Sequence, residues 1–349
     1  MRCYARRGKR NAVMTARACA TACLALLLLV AVAVGSACNA RTSLSNPDGA
    51  PLASTHVAAV PVAVQIHPKP ASSGTLDGGC ISPSCGESPA LRFVIIGDYG
   101  LSGPNEANVA ALTASLKPDF VITTGDNNYP SGAAETIDDN VGRYFHDFIA
   151  PYRGKFGAGA GENRFFPCLG NHDWYSPGAK PYLDYFSLPN NERYYDVVLG
   201  PLQIFALDSD PTEPDGTTPE SIQGRWLQER LATSVAPWRL VYFHHPPYST
   251  GQHGSSLYMR WPFAEWGASI VYSGHDHTYE RFDVAGFPYV VNGVGGNVLY
   301  ELGEPLPESR VRHADVHGLV LVTATDTELV SRFLDDRGQQ LDALRLNKP

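Results

Sequence analysis

Phe120-Val121-Ile122-Thr123-Thr124-Gly125-Asp126-Asn127-Asn128-Tyr129 places a carboxylate and a phenol three residues apart at the end of an apolar run. A short run of aromatic and β-branched residues closed by glycine reads as a buried strand, and in open α/β sheets chemistry gathers beyond the carboxyl ends of the strands. The construction recurs on both sides of this stretch. Leu91-Arg92-Phe93-Val94-Ile95-Ile96 closes on Gly97-Asp98, and Phe165-Phe166-Pro167-Cys168-Leu169 closes on Gly170-Asn171-His172-Asp173. Arg239 to Phe243 leads into His244-His245, and Ala268 to Ser273 into Gly274-His275-Asp276-His277. Five strands therefore end in side chains that can bind metal.

The segments between these runs read as an α/β chain. Asn105 to Leu116 sets Val109, Leu112 and Leu116 at helical spacing before Lys117-Pro118, so a right-handed strand-helix-strand unit is expected around the first two runs. Ile137 to Ile149 is an amphipathic patch. The Gly154 to Gly161 loop lacks a Lys-Ser or Lys-Thr close and opens no helix, which sets aside a nucleotide-cradling loop. Leu202 to Leu207 is a further strand, and its Asp208-Ser209-Asp210 end runs into Pro and Gly, a turn cap in preference to a cation site. Ile222 to Leu231 is a helix with Ile222, Trp226, Leu227 and Leu231 inward. Tyr289 to Val291, Leu319 to Val322 and Leu329 to Phe333 read as antiparallel strands that finish a second sheet, with Asp335 to Gly338 as a turn.

At 349 residues, 44% hydrophobic and 18% charged, the chain can bury a full core, and one motif system implies one catalytic domain, residues 91–349. Residues 1–37 have the layout of a bacterial export signal. Arg2, Arg6, Arg7, Lys9, Arg10 and Arg17 precede an apolar stretch from about Ala18 to Ala37, with a retained membrane anchor as the alternative. Val34-Gly35-Ser36-Ala37-Cys38 resembles a lipoprotein cleavage box with Gly35 at the position usually held by Leu or Val, and its small residues suit an ordinary signal peptidase as well. Residues 38–90 are rich in Pro, Ser, Ala and Gly and read as a tether; Val57 to Ile66 within them has strand character. Cys80 and Cys85 flank a short loop, and an exported protein is expected to pair them, whereas Cys168 reads as a buried, inert thiol.

Losing the signal removes six of 27 basic residues and none of 35 acidic ones, moving the net charge from −8 to −14. Nucleic-acid binding draws on basic side chains against phosphates, so that partner class is excluded here. A membrane enters only through the N-terminus. The sequence leaves the oligomeric state open.

Asp98, Asp126, Tyr129, Asn171, His244, His275 and His277 mix oxygen and nitrogen donors, which suits a pair of transition metals better than magnesium or calcium. The order G-D, G-D-x-x-Y, G-N-H-D, V-x-x-H, G-H-x-H across residues 97–277 resembles the metallophosphoesterases and, within them, the purple acid phosphatases. The resemblance implies a four-layer α/β/β/α sandwich of two mixed sheets. It implies Asp126 as the bridge, Asp98, Tyr129 and His277 at a ferric position, and Asn171, His244 and His275 at a divalent position taken by Fe, Zn or Mn. The wider superfamily carries D-x-H in its first motif; here Gly100 stands at that histidine's position, and Tyr129 is the donor that replaces it.

The function so implied is an exported acid phosphatase that hydrolyses small phosphate monoesters through a metal-held hydroxide, with an acidic optimum. His172, beside Asn171, is the candidate proton donor or phosphate stabiliser, and His253 the candidate second histidine. Asp173 is read as orienting its neighbours, and His245 as a weaker functional candidate than either histidine. A phosphodiesterase or nucleotidase on the same site, and a non-catalytic surface lipoprotein that binds metal or phosphate, are the alternatives.

Overall fold

A computed structural model of the chain describes residues 90–348. The export segment, the tether and the expected Cys80–Cys85 pair lie outside the described residues, and no helix among those described is long and apolar enough to cross a membrane.

The chain opens with β1 (Leu91–Ile96), α1 (Pro104–Leu116), β2 (Phe120–Thr123) and, after a broken helical passage, β3 (Phe165–Pro167). The broken passage is the expected amphipathic patch. Instead of one helix it forms α2 (Ala134–Ile137), a π turn (Asp138–Gly142), α3 (Arg143–Phe145) and a 3-10 turn (His146–Phe148). Ile137, Val141, Phe145 and Phe148 stay buried, so the apolar face survives the break.

Short helices α4 (Asn171–Trp174) and α5 (Lys180–Tyr185) precede β4 (Tyr195–Leu199) and β5 (Leu202–Ala206). Then follow α6 (Ile222–Thr233), β6 (Trp238–Tyr242), β7 (Ile270–Ser273), β8 (Tyr279–Val284), β9 (Phe287–Asn292) and β10 (Ser309–His313). The chain closes with β11 (Gly318–Ala324), β12 (Glu328–Asp335) and β13 (Gln340–Asn347).

The strands form two mixed sheets, one ordered β13-β12-β11-β1-β2-β3 and the other β10-β8-β9-β7-β6-β5-β4. One expectation is corrected here. Only the run at Tyr289 to Val291 joins the second sheet, whereas β11 pairs antiparallel with β1 and carries β12 onto the first sheet. An apolar run specifies a strand and its buried faces, not the distant edge on which it pairs.

Alternate residues explain the layers. Phe93 and Ile95 of β1 point between the sheets with Ile122, Ile204, Leu240 and Tyr272, while Val94 and Ile96 face Val109 of α1 and Val121. On the far side Phe205, Val241 and Val271 pack with Leu227 and Leu231 of α6. A strand buried on both faces is apolar throughout, which is why these runs do not alternate. The architecture is α/β, two mixed sheets packed face to face with the α1 and α6 layers outside, as expected.

Register sets the site. β1, β2 and β3 are parallel with Ile96 opposite Thr123 and Thr123 opposite Pro167, so their carboxyl ends lie level. β6 and β7 are parallel with Tyr242 opposite Tyr272, which levels His244 with Gly274.

Candidate metal centre

Three of the donors leave their strands through sharp turns. Asp98, Asp126 and His275 have positive φ angles of 54°, 52° and 70°, a conformation that non-glycine residues adopt at a cost of roughly 1–3 kcal/mol each. The glycine before Asp126 is required by space: at Gly125, itself at φ 93°, a Cβ would lie 2.7 Å from His244 Nδ1. Backbone bonds tie the turns together, from Asp98 N to Gly125 O at 3.2 Å and from Tyr129 N to Gly100 O at 2.8 Å.

The side chains converge as two groups that share Asp126. In the first, the Tyr129 hydroxyl lies 2.8 Å from Asp126 Oδ2, 3.3 Å from Asp98 Oδ1 and 3.1 Å from His277 Nε2. In the second, His244 Nε2 lies 3.4 Å from Asp126 Oδ1, 3.0 Å from Asn171 Oδ1 and 3.1 Å from His275 Nδ1. Metal bonds of about 2.0–2.2 Å to N and O donors put neighbouring donors about 3 Å apart, so these spacings are those of coordination edges. All seven donors expected from the sequence are brought together, with one Asp126 oxygen in each group.

The histidines are oriented from behind. His244 Nδ1 donates to the Thr124 carbonyl at 2.9 Å, and His277 Nδ1 donates to the Val298 carbonyl at 2.6 Å. A carbonyl can only accept, so in each neutral ring Nε2 carries the lone pair and faces the cluster. Asn171 is held similarly, its amide nitrogen donating to the Tyr175 hydroxyl at 3.0 Å while its oxygen faces His244.

Electrostatics follow from burial and close charges. Burial pushes the Tyr129 phenol well above its usual range, and the Asp126 and Asp98 charges add to it, so the phenol ionises only against a cation. For Asp98 burial acts upward, but His277, which bonds Asp98 through Nε2 when its ring is protonated, and the charges of protonated His244 and His277 outweigh it and hold the carboxyl below its usual value. His244 and His277 are raised, because the carboxylates overcome their burial. His275 is driven far down by burial and by His244, and stays a neutral imidazole.

The supporting residues lie around these two donor groups. His172 lies beside Tyr129 with ring centroids 4.4 Å apart and the rings tilted by 55°, donates from Nδ1 to the Pro130 carbonyl at 2.6 Å, and holds Nε2 3.9 Å from Asp126 Oδ2. His253 is exposed and stacks on His275 at 4.3 Å. Asp173 is buried and orients its neighbours, its Oδ2 accepting from Gly170 N at 2.9 Å and Asn127 Nδ2 at 2.9 Å. Burial and the Asp126 charge raise its pKa to about 7. Asp208 and Asp210 are turn caps, accepting from the backbone of Asp210 and Thr212.

Sequence reasoning assigned no role to Asn127 and Tyr300, and set His245 low. The Asn127 side chain accepts from the Tyr99 and Thr123 hydroxyls and donates to the Cys168 carbonyl and Asp173, which fixes the backbone next to Asp126. Its place inside the G-D-x-x-Y stretch was the available signal. His245 is buried, bonded through Nδ1 to Ser209 Oγ at 3.0 Å, with its ring 4.5 Å from His275. Tyr300 lies parallel to His277 at 4.0 Å, from a loop with no donor motif.

Residues 91–279 match the calcineurin-like phosphoesterase family. The chain belongs to that family. Among its relatives within these phosphoesterases, human tartrate-resistant acid phosphatase type 5 is 25% identical over 306 residues, covering 75% of this chain and 92% of the relative. Purple acid phosphatase 3 of Arabidopsis thaliana is 26% identical over 286 residues, covering 72% and 76%. In fold, the purple acid phosphatase PPD1 of yellow lupin superposes with TM-score 0.62 at 20% identity, over 75% of this chain and 54% of that one. GAP50 of Plasmodium, described as the anchor in the inner membrane complex, gives 0.59 at 16% identity, over 74% and 89%. The phosphoesterase relatives imply a binuclear metal centre, and the two donor groups sharing Asp126 fit one.

Proposed function

We propose that this phosphoesterase is an exported acid phosphatase that hydrolyses phosphate monoesters at a binuclear centre holding iron(III) and a divalent Fe, Zn or Mn. Asp98, Asp126, Tyr129 and His277 hold the ferric ion, and Asp126, Asn171, His244 and His275 the divalent one. Export is argued from the basic and apolar N-terminal segment.

The observation that carries the reading is Tyr129. Its hydroxyl sits among Asp98, Asp126 and His277 at 2.8–3.3 Å. A phenolate is a hard anionic donor, and it favours the ferric over the ferrous state.

When bound, the two cations supply charge against the phosphoryl oxygens and activate water as nucleophile. The chain's own residues do the rest. Asp126 spaces the two positions, and the strained turns hold the donors so that little reorganisation accompanies substrate binding. His172, anchored through Nδ1, directs Nε2 at the cluster and, as the doubly protonated imidazolium, would give the Nε2 proton to the leaving oxygen. His253, stacked on the His275 ring, would hold a phosphoryl oxygen.

A visible spectrum of the purified protein tests the reading. The expected result is a tyrosinate-to-iron absorption that disappears in Tyr129→Phe. Colourless protein that contains zinc or manganese and still hydrolyses monoesters would remove iron from the proposal and leave a metallophosphatase.

A further inference from the structure

The floor of the centre is charged, but its rim is aromatic. Tyr175, His172, Tyr129, His277 and Tyr300 form an arc of successive ring neighbours, with centroids 4.7, 4.4, 6.1 and 4.0 Å apart. The inner three touch the donors or belong to them. The outer two are tyrosines at the mouth, Tyr175 being 60% exposed and Tyr300 half-buried.

Both end rings are held in place. Asn171 donates to the Tyr175 oxygen at 3.0 Å, and the Tyr300 amide donates to the His277 carbonyl at 3.1 Å. Neither phenol proton has an acceptor among the described residues. Val298, two residues before Tyr300, is an exposed apolar side chain.

Charge points the same way. Among the described residues no lysine or arginine is hydrogen-bonded to, or stacked on, any of these five rings. An ester with a further anionic group finds no lysine or arginine bonded to this rim to receive it. A flat uncharged ring finds two aromatic neighbours.

We propose that Tyr175 and Tyr300 form a leaving-group subsite that takes an uncharged aromatic group esterified to a single phosphate. This rests on the phosphatase reading. The phosphoryl group occupies the metal-donor floor, and the aromatic group lies along the rim against the Tyr300 ring.

Phosphonates that cannot be hydrolysed test the subsite without the influence of leaving-group acidity. Calorimetry on the full-length, metal-loaded protein compares benzylphosphonate with methylphosphonate. Benzylphosphonate is expected to bind about 3- to 10-fold more tightly, the range of one aromatic contact. Tyr300→Leu is expected to abolish the preference and Tyr300→Phe to keep it, while a para-carboxylate on the benzyl ring weakens binding. The ratio of two ligands cancels any loss of metal in a variant. Equal binding of both phosphonates, or a benzyl preference that survives both Tyr300→Leu and Tyr175→Leu, overturns the subsite alone. Failure of both phosphonates to bind overturns the phosphatase reading and the subsite with it.

Discussion

At Gly100 a Cβ would stand 2.0 Å from the Asn127 carbonyl oxygen and 2.6 Å from the Asn128 nitrogen. The obstacle is backbone, so no rotamer relieves it. The loop after β1 and the loop after β2 are pressed together there by the bonds from Gly100 N to Asp126 O at 3.4 Å and from Tyr129 N to Gly100 O at 2.8 Å. The D-x-H motif of the wider superfamily implies a metal-binding histidine at this position. Here the close approach of the loops excludes any side chain, and the same approach brings the Tyr129 hydroxyl into the first donor group. The two residues are thus alternatives in space as well as in donor count. Gly100→Ala is expected to destabilise the fold by about 2–3 kcal/mol, a fall in melting temperature of roughly 4–12 °C. Differential scanning calorimetry checks it, and an unchanged melting temperature would show that the loops can part and that the exclusion argument is wrong.

At the scale of elements, α1 carries an unpartnered buried carboxyl against the site's supporting loop. Glu106 is fully buried in the first turn of the helix, neither of its carboxyl oxygens has a partner among the described residues, and a Cβ at Gly296 would touch its Cα at 2.9 Å. Burial raises its pKa well above the carboxylate range, with Arg143 offsetting only part. Because the folded value exceeds the unfolded one, Glu106 contributes stability fully at pH below the ordinary carboxylate value. That contribution is lost as pH rises through the raised folded value. Glu106→Gln cannot ionise, so its melting temperature should gain on the wild type progressively between pH 4.5 and 8, by about 2–4 °C for each kcal/mol removed. Parallel melting curves across that range would show that Glu106 is ionised in the fold or neutralised by a partner. This group was not legible in the sequence, where an acid in a first helical turn reads as favourable. The strand ends were legible, because each apolar run closes on glycine and a donor, and α1 and α6 follow the apolar spacing of Val109 and Leu116 and of Leu227 and Leu231. The Ile137 to Ile149 patch hid a π turn, since a one-residue widening leaves the apolar face intact. The pairing of β11 with β1 and the stacking of Tyr300 on His277 join positions far apart in the chain, and no local pattern encodes them.

The whole molecule places its two sheets under one set of donors. Asp98, Asp126, Tyr129 and Asn171 follow strands of the first sheet, whereas His244, His275 and His277 follow strands of the second. Elsewhere the sheets are joined by apolar packing and by a few polar ties, from Tyr272 to Ser331 at 2.8 Å, Tyr279 to Asp342 at 2.8 Å and Tyr195 to the Pro167 carbonyl at 2.6 Å. Metals held by the two groups would therefore clamp one sheet to the other at the strand ends, and both groups need both sheets, since His277 serves the first and Asp126 the second. Binding to the folded state alone stabilises it by about 4 kcal/mol when free metal is a thousandfold above its dissociation constant. Complete chelation should then lower the melting temperature by roughly 8–16 °C while leaving a single transition, because the inter-sheet core around Phe93, Leu240 and Tyr272 remains. His277→Ala should show a smaller chelator-dependent shift than the wild type, having lost a cross-sheet donor. A melting temperature indifferent to verified metal removal would mean that the donors are held by the protein alone and that the metals do not bridge the sheets.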